Sequence, residues 1–265
     1  MTRSDKLAAL KKRIDENERL LIAFSGGVDS SLLAKIAADL LGDRALSVIL
    51  DSEMMPRSEL RSAEETANTL GLNCRKAKFS ILQDEEFMKN PVNRCYLCKK
   101  KSAQVLKEIA AKEGIVRIAD GVNLSDCSDL RPGIRACDEE CIWHPFVEAG
   151  ITKEDIREIA REMSLPFWKK PSSACLASRV PYGEMVSKNN LRMVEEAEDY
   201  LKSLGFEQLR VRAHGRIARI EVLKEERERA LNLGEDIARR LKEIGFGYAA
   251  LDLEGFRSGS MNEVL

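Results

Sequence analysis

No apolar run in these 265 residues approaches the roughly 18 that a membrane-spanning helix needs. The opening stretch MTRSDKLAALKKRIDENER is too charged for the apolar core of a secretion signal, so no membrane association and a cytoplasmic location are expected. An excess of either charge is also missing. With 43 Lys and Arg against 44 Asp and Glu, the formal net charge is −1, and no global basic field exists to hold a nucleic acid through its phosphates. Internal repeats and low-complexity segments are absent. The seven cysteines are odd in number and expected to be reduced, so they read as metal ligands, reactive thiols or buried small hydrophobes rather than as a disulfide framework. What remains is an ordinary globular composition, 44% hydrophobic, long enough for one large domain and a smaller one.

Apolar runs alternate with helical patterns along the first two thirds. Leu20 to Phe24, Ala45 to Leu50, Arg75 to Phe79 and Val116 to Ala119 read as strand segments. Helices are expected over Ser31 to Leu41, Ser58 to Leu70 and Tyr96 to Lys112, and from Thr152, where Asp155 three residues on resembles a capping box. This is the rhythm of a doubly wound α/β domain with a parallel sheet, placed at 1–182. Beyond Pro181-Tyr182-Gly183 the order changes to a helix (Asn189 to Leu204), two strands (Gln208 to Ala213, Ile217 to Leu223) turning at Gly215, a helix (Lys224 to Ile244) and a strand (Tyr248 to Leu253). A smaller α+β domain is expected over 183–265.

Ser25-Gly26-Gly27-Val28-Asp29-Ser30 joins the first buried strand directly to a helix, so backbone N–H groups and the helix dipole converge on an anion. It lacks the lysine of the G-x-x-x-x-G-K-[ST] phosphate loop. It resembles instead the SGGxDS loop of the PP-loop ATP pyrophosphatases, which implies cleavage of ATP between its α- and β-phosphates. In that reading Ser25 and Ser30 donate to phosphate oxygens and Asp29 is a ligand, direct or through water, of Mg²⁺. The same resemblance places Asp51 and Ser52, at the end of the second strand, under the adenine, and brings Gly121, after Asp120, close to the ribose.

Cys95 and Cys98, in Asn93-Arg94-Cys95-Tyr96-Leu97-Cys98-Lys99-Lys100-Lys101, would share one face at the start of a helix with Asn93 as N-cap. The dipole and the nearby cations favour thiolates there. Cys175 lies in the basic segment Lys169 to Arg179. Cys127, Cys137 and Cys141 have acidic neighbours that should raise their pKa values, and Cys74 reads as a buried filler. A zinc site made by Cys95, Cys98, Cys137 and Cys141 is the structural alternative, since the spacings suit a tetrahedral centre.

Taken together, SGGVDSSLLAKIA (Ser25 to Ala37), NRCYLCK (Asn93 to Lys99), DGVN (Asp120 to Asn123), DLRPGIR (Asp129 to Arg135), ACLASRVPYG (Ala174 to Gly183) and RVRAHG (Arg210 to Gly215) resemble the LarE family of PP-loop sulfurtransferases over nearly the whole chain. These act on pyridinium-3,5-biscarboxylic acid mononucleotide, a precursor of the nickel-pincer nucleotide cofactor. The resemblance implies that a substrate carboxylate is adenylated and then attacked by sulfur, giving a thiocarboxylate and AMP. Members with only the cysteine matching Cys175 sacrifice its sulfur, whereas members with three matching cysteines hold a 4Fe-4S cluster carrying a sulfide. Cys95, Cys98 and Cys175 match the second kind, with Cys175 as the catalytic cysteine; a sulfide source and homo-oligomers are implied as well. Arg210 and Arg212 alternate with valine on a strand and could clamp the substrate phosphate. His214 is expected on the opposite face, without a catalytic role. Competing functions for the same loop are tRNA thiolation, amidation of the NAD- or GMP-synthetase kind, and ATP binding without cleavage.

Overall fold

The computed structural model describes residues 1–128, 132–171, 174–257 and 259–263. Asp129, Leu130 and Arg131 of the DLRPGIR match lie outside the described residues. Two units make up the chain: 1–81 with 93–173, and 82–92 with 174–265. The second therefore begins earlier than the expected start at 183 and takes in a segment from before the long helix of residues 94–112.

The first unit contains α1 (Arg3–Asp15), β1 (Leu20–Ala23), α2 (Val28–Leu41), β2 (Ala45–Asp51), α3 (Arg57–Thr69) and β3 (Cys74–Lys78). After α4 (Glu85–Met88), which belongs to the second unit, it resumes with α5 (Arg94–Lys112), β4 (Arg117–Ala119), α6 (Pro132–Glu139), α7 (Pro145–Glu148) and α8 (Lys153–Glu162). All pairings in its sheet are parallel, in the order β3-β2-β1-β4. Strand alternation distributes the apolar side chains to two faces. Leu20, Ile22 and Ile49 pack under α1, α2, α3 and α8, while Leu21, Leu46 and Val48 pack with Leu106 of α5 and Cys137 of α6. The sheet is thus covered on both sides, as a doubly wound fold requires. Its order reverses at β1, which has β2 on one side and β4 on the other, and the crevice at the carboxyl ends of β1 and β4 is where such folds bind ligands. The capping box of α8 is formed, with Thr152 and Asp155 bonded reciprocally.

The second unit contains α9 (Lys188–Ser203), β5 (Leu209–His214), β6 (Ile217–Val222), α10 (Arg227–Asn232), α11 (Gly234–Ile244) and β7 (Tyr248–Leu251). β5 and β6 form an antiparallel hairpin turning at Gly215, and β7 joins β6 in parallel. The single helix expected over Lys224 to Ile244 is divided, because the chain leaves helical geometry at Leu233, ahead of the helix-weakening Gly234. The register also corrects the reading of His214: Arg210, Arg212 and His214 are two apart on one strand and share a face.

Candidate active site

The expected strand, loop and helix are present at Ser25 to Ser30. Phe24 extends the ladder by donating its N–H to Val48 O at 2.9 Å, after which Gly26 turns the chain with φ +70°. A Cβ on Gly26 would lie 2.6 Å from both Cα and Cβ of Ala63, so α3 leaves no room for any other residue. Gly27 then stands at the N-cap of α2 with no side-chain cap, leaving the first-turn N–H groups for an anion. The loop is braced from below. Ser25 Oγ lies 3.0 Å from Ser30 Oγ, and Ser30 Oγ donates to Gly27 O. Lys170 Nζ donates to Gly26 O and Ser62 Oγ and pairs with Glu59 at 3.0 Å, so this lysine from the basic segment before Cys175 supports the phosphate loop.

Ser25, Gly27, Asp29, Ser30 and Gly121 all line one cavity of about 340 Å³ at the carboxyl ends of β1 and β4. Gly121 is required by close approach, since a Cβ there would come within 2.8 Å of Ser30 N. Val48, Leu50, Met55, Ala103 and Leu106 supply an apolar wall suited to a planar base. Asp51 and Ser52 are placed otherwise than expected: Asp51 Oδ1 accepts from Arg57 Nη1 at 2.5 Å, Ser52 O also accepts from Arg57, and β2 contributes Val48 and Leu50 to the wall instead.

Asp29 meets a partner that sequence reasoning missed. Lys153 Nζ, from the first turn of α8, lies 2.7 and 2.6 Å from its two carboxylate oxygens. Burial raises the Asp29 pKa above the ordinary aspartate value despite that lysine, and the charge of nearby Asp126 adds to the rise. A signal for Lys153 existed, because a cation at a helix N-terminus opposes the macrodipole and calls for a compensating partner. Asp120, His144 and Cys137 form a further polar group at this cavity. Asp120 Oδ1 lies 2.6 Å from His144 Nδ1, and Cys137 lines the wall beside it.

Cys95 and Cys98 lie on one face at the start of α5, and Cys98 faces the cavity. Asn93 occupies the N-cap position without capping through its side chain. Cys175 belongs to the second unit and is exposed. Its backbone is held by Arg179, which donates to Cys175 O at 3.1 Å while sealed in a buried ion pair with Glu198. The Cys137 thiol is pushed up to about 11, by burial more than by the acidic neighbours invoked from sequence, and burial also takes Cys74 to about 11. Among the described residues no three His, Cys, Asp or Glu side chains are gathered as a metal site, so the arrangement supports neither the three-cysteine set nor the zinc alternative.

Arg210 and Arg212 share a face, yet their surroundings differ. Arg212 is buried; it donates to both oxygens of the fully buried Glu221 at 3.1 and 2.8 Å, and to Ser178 O and Ser260 Oγ. Arg210 is half-buried, stacks 5.2 Å from the centre of the Phe256 ring and has no ion-pair partner among the described residues. Burial, with the charges of Arg179 and Arg212, holds its pKa below the usual arginine value, so an added anion would be welcome there. His214 is depressed by burial and by Arg219.

Known proteins are similar to this chain in sequence. A family profile described as NAD synthase matches residues 4–114. Pyridinium-3,5-bisthiocarboxylic acid mononucleotide synthase of Lactiplantibacillus plantarum is 38% identical, over 100% of this chain and 96% of its own. An uncharacterised protein of Synechocystis is 39% identical over 98% of each chain. GMP synthase (glutamine-hydrolysing) of Chlamydia caviae is 26% identical, over 60% of this chain and 34% of its own.

Proposed function

The chain belongs to the LarE family of PP-loop enzymes, and from that premise we propose that it is an ATP-dependent sulfurtransferase of nickel-pincer cofactor biosynthesis that converts a carboxylate of pyridinium-3,5-biscarboxylic acid mononucleotide to a thiocarboxylate. One observation carries the reading: the uncapped N-terminus of α2 opens, under the bare Cα of Gly121, onto a cavity whose rim carries the Asp29 carboxylate. That geometry supports a triphosphate site with a place for a hard cation. ATP phosphates would lie on the amides of Gly27 to Ser30, with Ser25 and Ser30 turning their hydroxyls to phosphate oxygens and the adenine against the Val48 and Leu50 wall.

Mg²⁺ fits the donor set here, because Asp29 faces the cavity with Asp126 close enough to raise its pKa, and both offer oxygen. When bound, the ion neutralises charge on the pyrophosphate. Asp29 would hold the ion, and Lys153, bonded to Asp29, would bring to the site a cation that the loop itself lacks. A substrate carboxylate oxygen attacks the α-phosphorus, the bond to the β-phosphate breaks and pyrophosphate leaves with the electron pair. The loop amides stabilise the charge that develops. A sulfide then adds to the acyl carbon, the acyl C–O bond breaks and AMP departs.

For the sulfur source, Cys95, Cys98 and Cys175 are the residues that would hold a 4Fe-4S cluster. The chemistry of the set fits: three thiols are present, two share a helix face beside the cavity, and three ligands leave one of four irons open. The cluster, when bound, supplies a sulfide at that iron. In the second unit Arg210 takes the substrate phosphate, with Arg212 and its Glu221 partner fixing the strand face. No described helix is long and apolar enough to cross a membrane; the proposed setting is the cytoplasm, and the proposed assembly a homo-oligomer. The deciding experiment is chromatography of the nucleotide products with the substrate present: AMP and pyrophosphate are expected, and ADP with phosphate would overturn the reading.

A further inference from the structure

One peptide decides what the phosphate loop shows to an anion. Gly26 and Gly27 flank it, and without side chains on either residue its plane is the freest in the loop to rotate. A trans peptide points its oxygen and its N–H in opposite directions, so one orientation gives the cavity a donor and the other an oxygen that repels phosphate. Here the Gly27 N–H donates to Ser25 Oγ at 3.4 Å, and both residues line the cavity. Gly26 O points the other way and accepts from Lys170 Nζ at 3.1 Å; among the described residues it has no other donor. The bonds that brace the rest of the loop, from Ser25 N to Ser30 Oγ and from Ser30 Oγ to Gly27 O, fall on neighbouring peptides and leave this one to Lys170.

On the reading of this loop as the pyrophosphate site, we propose that Lys170 is a positioning residue for that anion: it holds the peptide joining Gly26 to Gly27 with its oxygen toward α3 and its N–H toward the cavity. A cation on the oxygen also polarises the peptide and strengthens the N–H as a donor. Lys170 is itself fixed for this task. Its own N–H donates to Phe167 O at 2.9 Å, and Arg157 of α8 donates to Trp168 O at 2.7 Å and to Lys170 O at 3.1 Å. On α3 its ammonium also donates to Ser62 Oγ at 2.9 Å and pairs with Glu59 at 3.0 Å, so the side chain is aimed by two elements that flank the loop. Neither Lys170 nor these two partners line the cavity, which makes the lysine a residue that acts through the loop and not on the anion directly.

The test is calorimetric titration of the full-length protein with inorganic pyrophosphate and Mg²⁺ at two salt concentrations. Lys170→Met should bind pyrophosphate roughly tenfold or more weakly than the wild type, as loss of a charge-assisted hydrogen bond implies. That variant also takes the ammonium from Glu59, so Lys170→Met is measured in combination with Glu59→Gln as well, where the same loss is expected with a Tm near that of the wild type. Glu59→Gln alone keeps Lys170 on Gly26 O and should bind pyrophosphate at least as tightly as the wild type. A lysine acting only as a distant charge would be screened, whereas one that orients a peptide would not. The ratio of wild-type to Lys170→Met affinity should therefore persist between about 0.05 and 0.5 M NaCl, and a ratio that falls to near one at the higher salt overturns the positioning role. Wild-type affinity in Lys170→Met overturns it too, as does a loss reproduced by Glu59→Gln alone, which would assign the effect to the ion pair with α3. Failure of the wild type to bind pyrophosphate at all would overturn the phosphate site together with this role, whereas binding that ignores the lysine sinks this role alone.

Discussion

Lys153 Nζ sits between the two carboxylate oxygens of Asp29, at 2.7 and 2.6 Å, joining the first turn of α8 to the first turn of the phosphate-loop helix. The pair brings a cation to the phosphate loop from a residue 124 positions away rather than from the loop itself. Asp29→Asn should keep the fold and lose pyrophosphate release almost entirely, because it removes charge from the proposed metal ligand without changing its shape. Lys153→Met should weaken Mg·ATP binding about tenfold, the worth of one charge-assisted contact. Titration with Mg·ATP and a pyrophosphate-release assay check both. Wild-type behaviour of Lys153→Met would confine this lysine to bracing Asp29.

Arg210 and Arg212 should separate in stability as well as in binding. Arg212→Ala leaves Glu221, fully buried, without its bidentate partner, and breaking such a pair costs about 3–5 kcal/mol. Arg210→Ala removes no ion pair among the described residues and should unfold near the wild-type temperature, while binding the phosphate-bearing substrate about tenfold more weakly. Thermal unfolding alongside substrate titration distinguishes them, and equal Tm losses would contradict this division.

The cysteines should sort by burial when alkylated. At pH 8 a thiol with a pKa of about 11 holds a few hundredfold less thiolate than an ordinary one near 8.5. Cys137 and Cys74 should therefore be modified last, well after exposed Cys127 and Cys141. Peptide mapping after timed treatment with iodoacetamide reads the order, and early labelling of Cys137 would show an open wall at α6.

His144 makes stability depend on pH. Burial opposes its imidazolium, but the hydrogen bond and charge of Asp120, with Asp138, outweigh it and hold the pKa above the ordinary value. A proton bound more tightly in the folded state contributes stability that is fully present below about pH 6.5 and is lost as pH rises through the raised folded value. The Tm difference between wild type and His144→Asn should thus be larger at pH 6 than at pH 9. A constant difference would mean that the ring carries no extra proton in the fold.

Anaerobic purification tests the sulfur source. Each of Cys95→Ala, Cys98→Ala and Cys175→Ala should lose iron, the brown absorbance and sulfur transfer together, while Cys141→Ala keeps all three. With sulfide supplied, the wild type should turn over more than once. Dehydroalanine at position 175 after one turnover, or zinc with no iron, would remove the cluster and leave the adenylation chemistry standing.

The phosphate loop was legible because its signal is local: a buried strand, two glycines and a helix start lie within a dozen residues, and the backbone geometry that binds an anion follows from that order alone. The alternation of strands and helices likewise showed a parallel doubly wound sheet, and the Thr152 and Asp155 spacing a helix start. What the spacing did not show is that Asp51 is bonded to Arg57 and that β2 lines the cavity through Val48 and Leu50.

What the sequence by itself determined was the chemistry within short reach of the chain: the anion site at α2, the paired cysteines on one face of α5, and the arginines two apart on β5. Tertiary structure alone decided which of those groups are committed elsewhere. Arg212 is held by Glu221, Asp29 by Lys153 and Asp120 by His144, and Cys137 is silenced by burial. The physical reason is that desolvation and charge pairing depend on what stands across the fold, and no spacing along the chain records it.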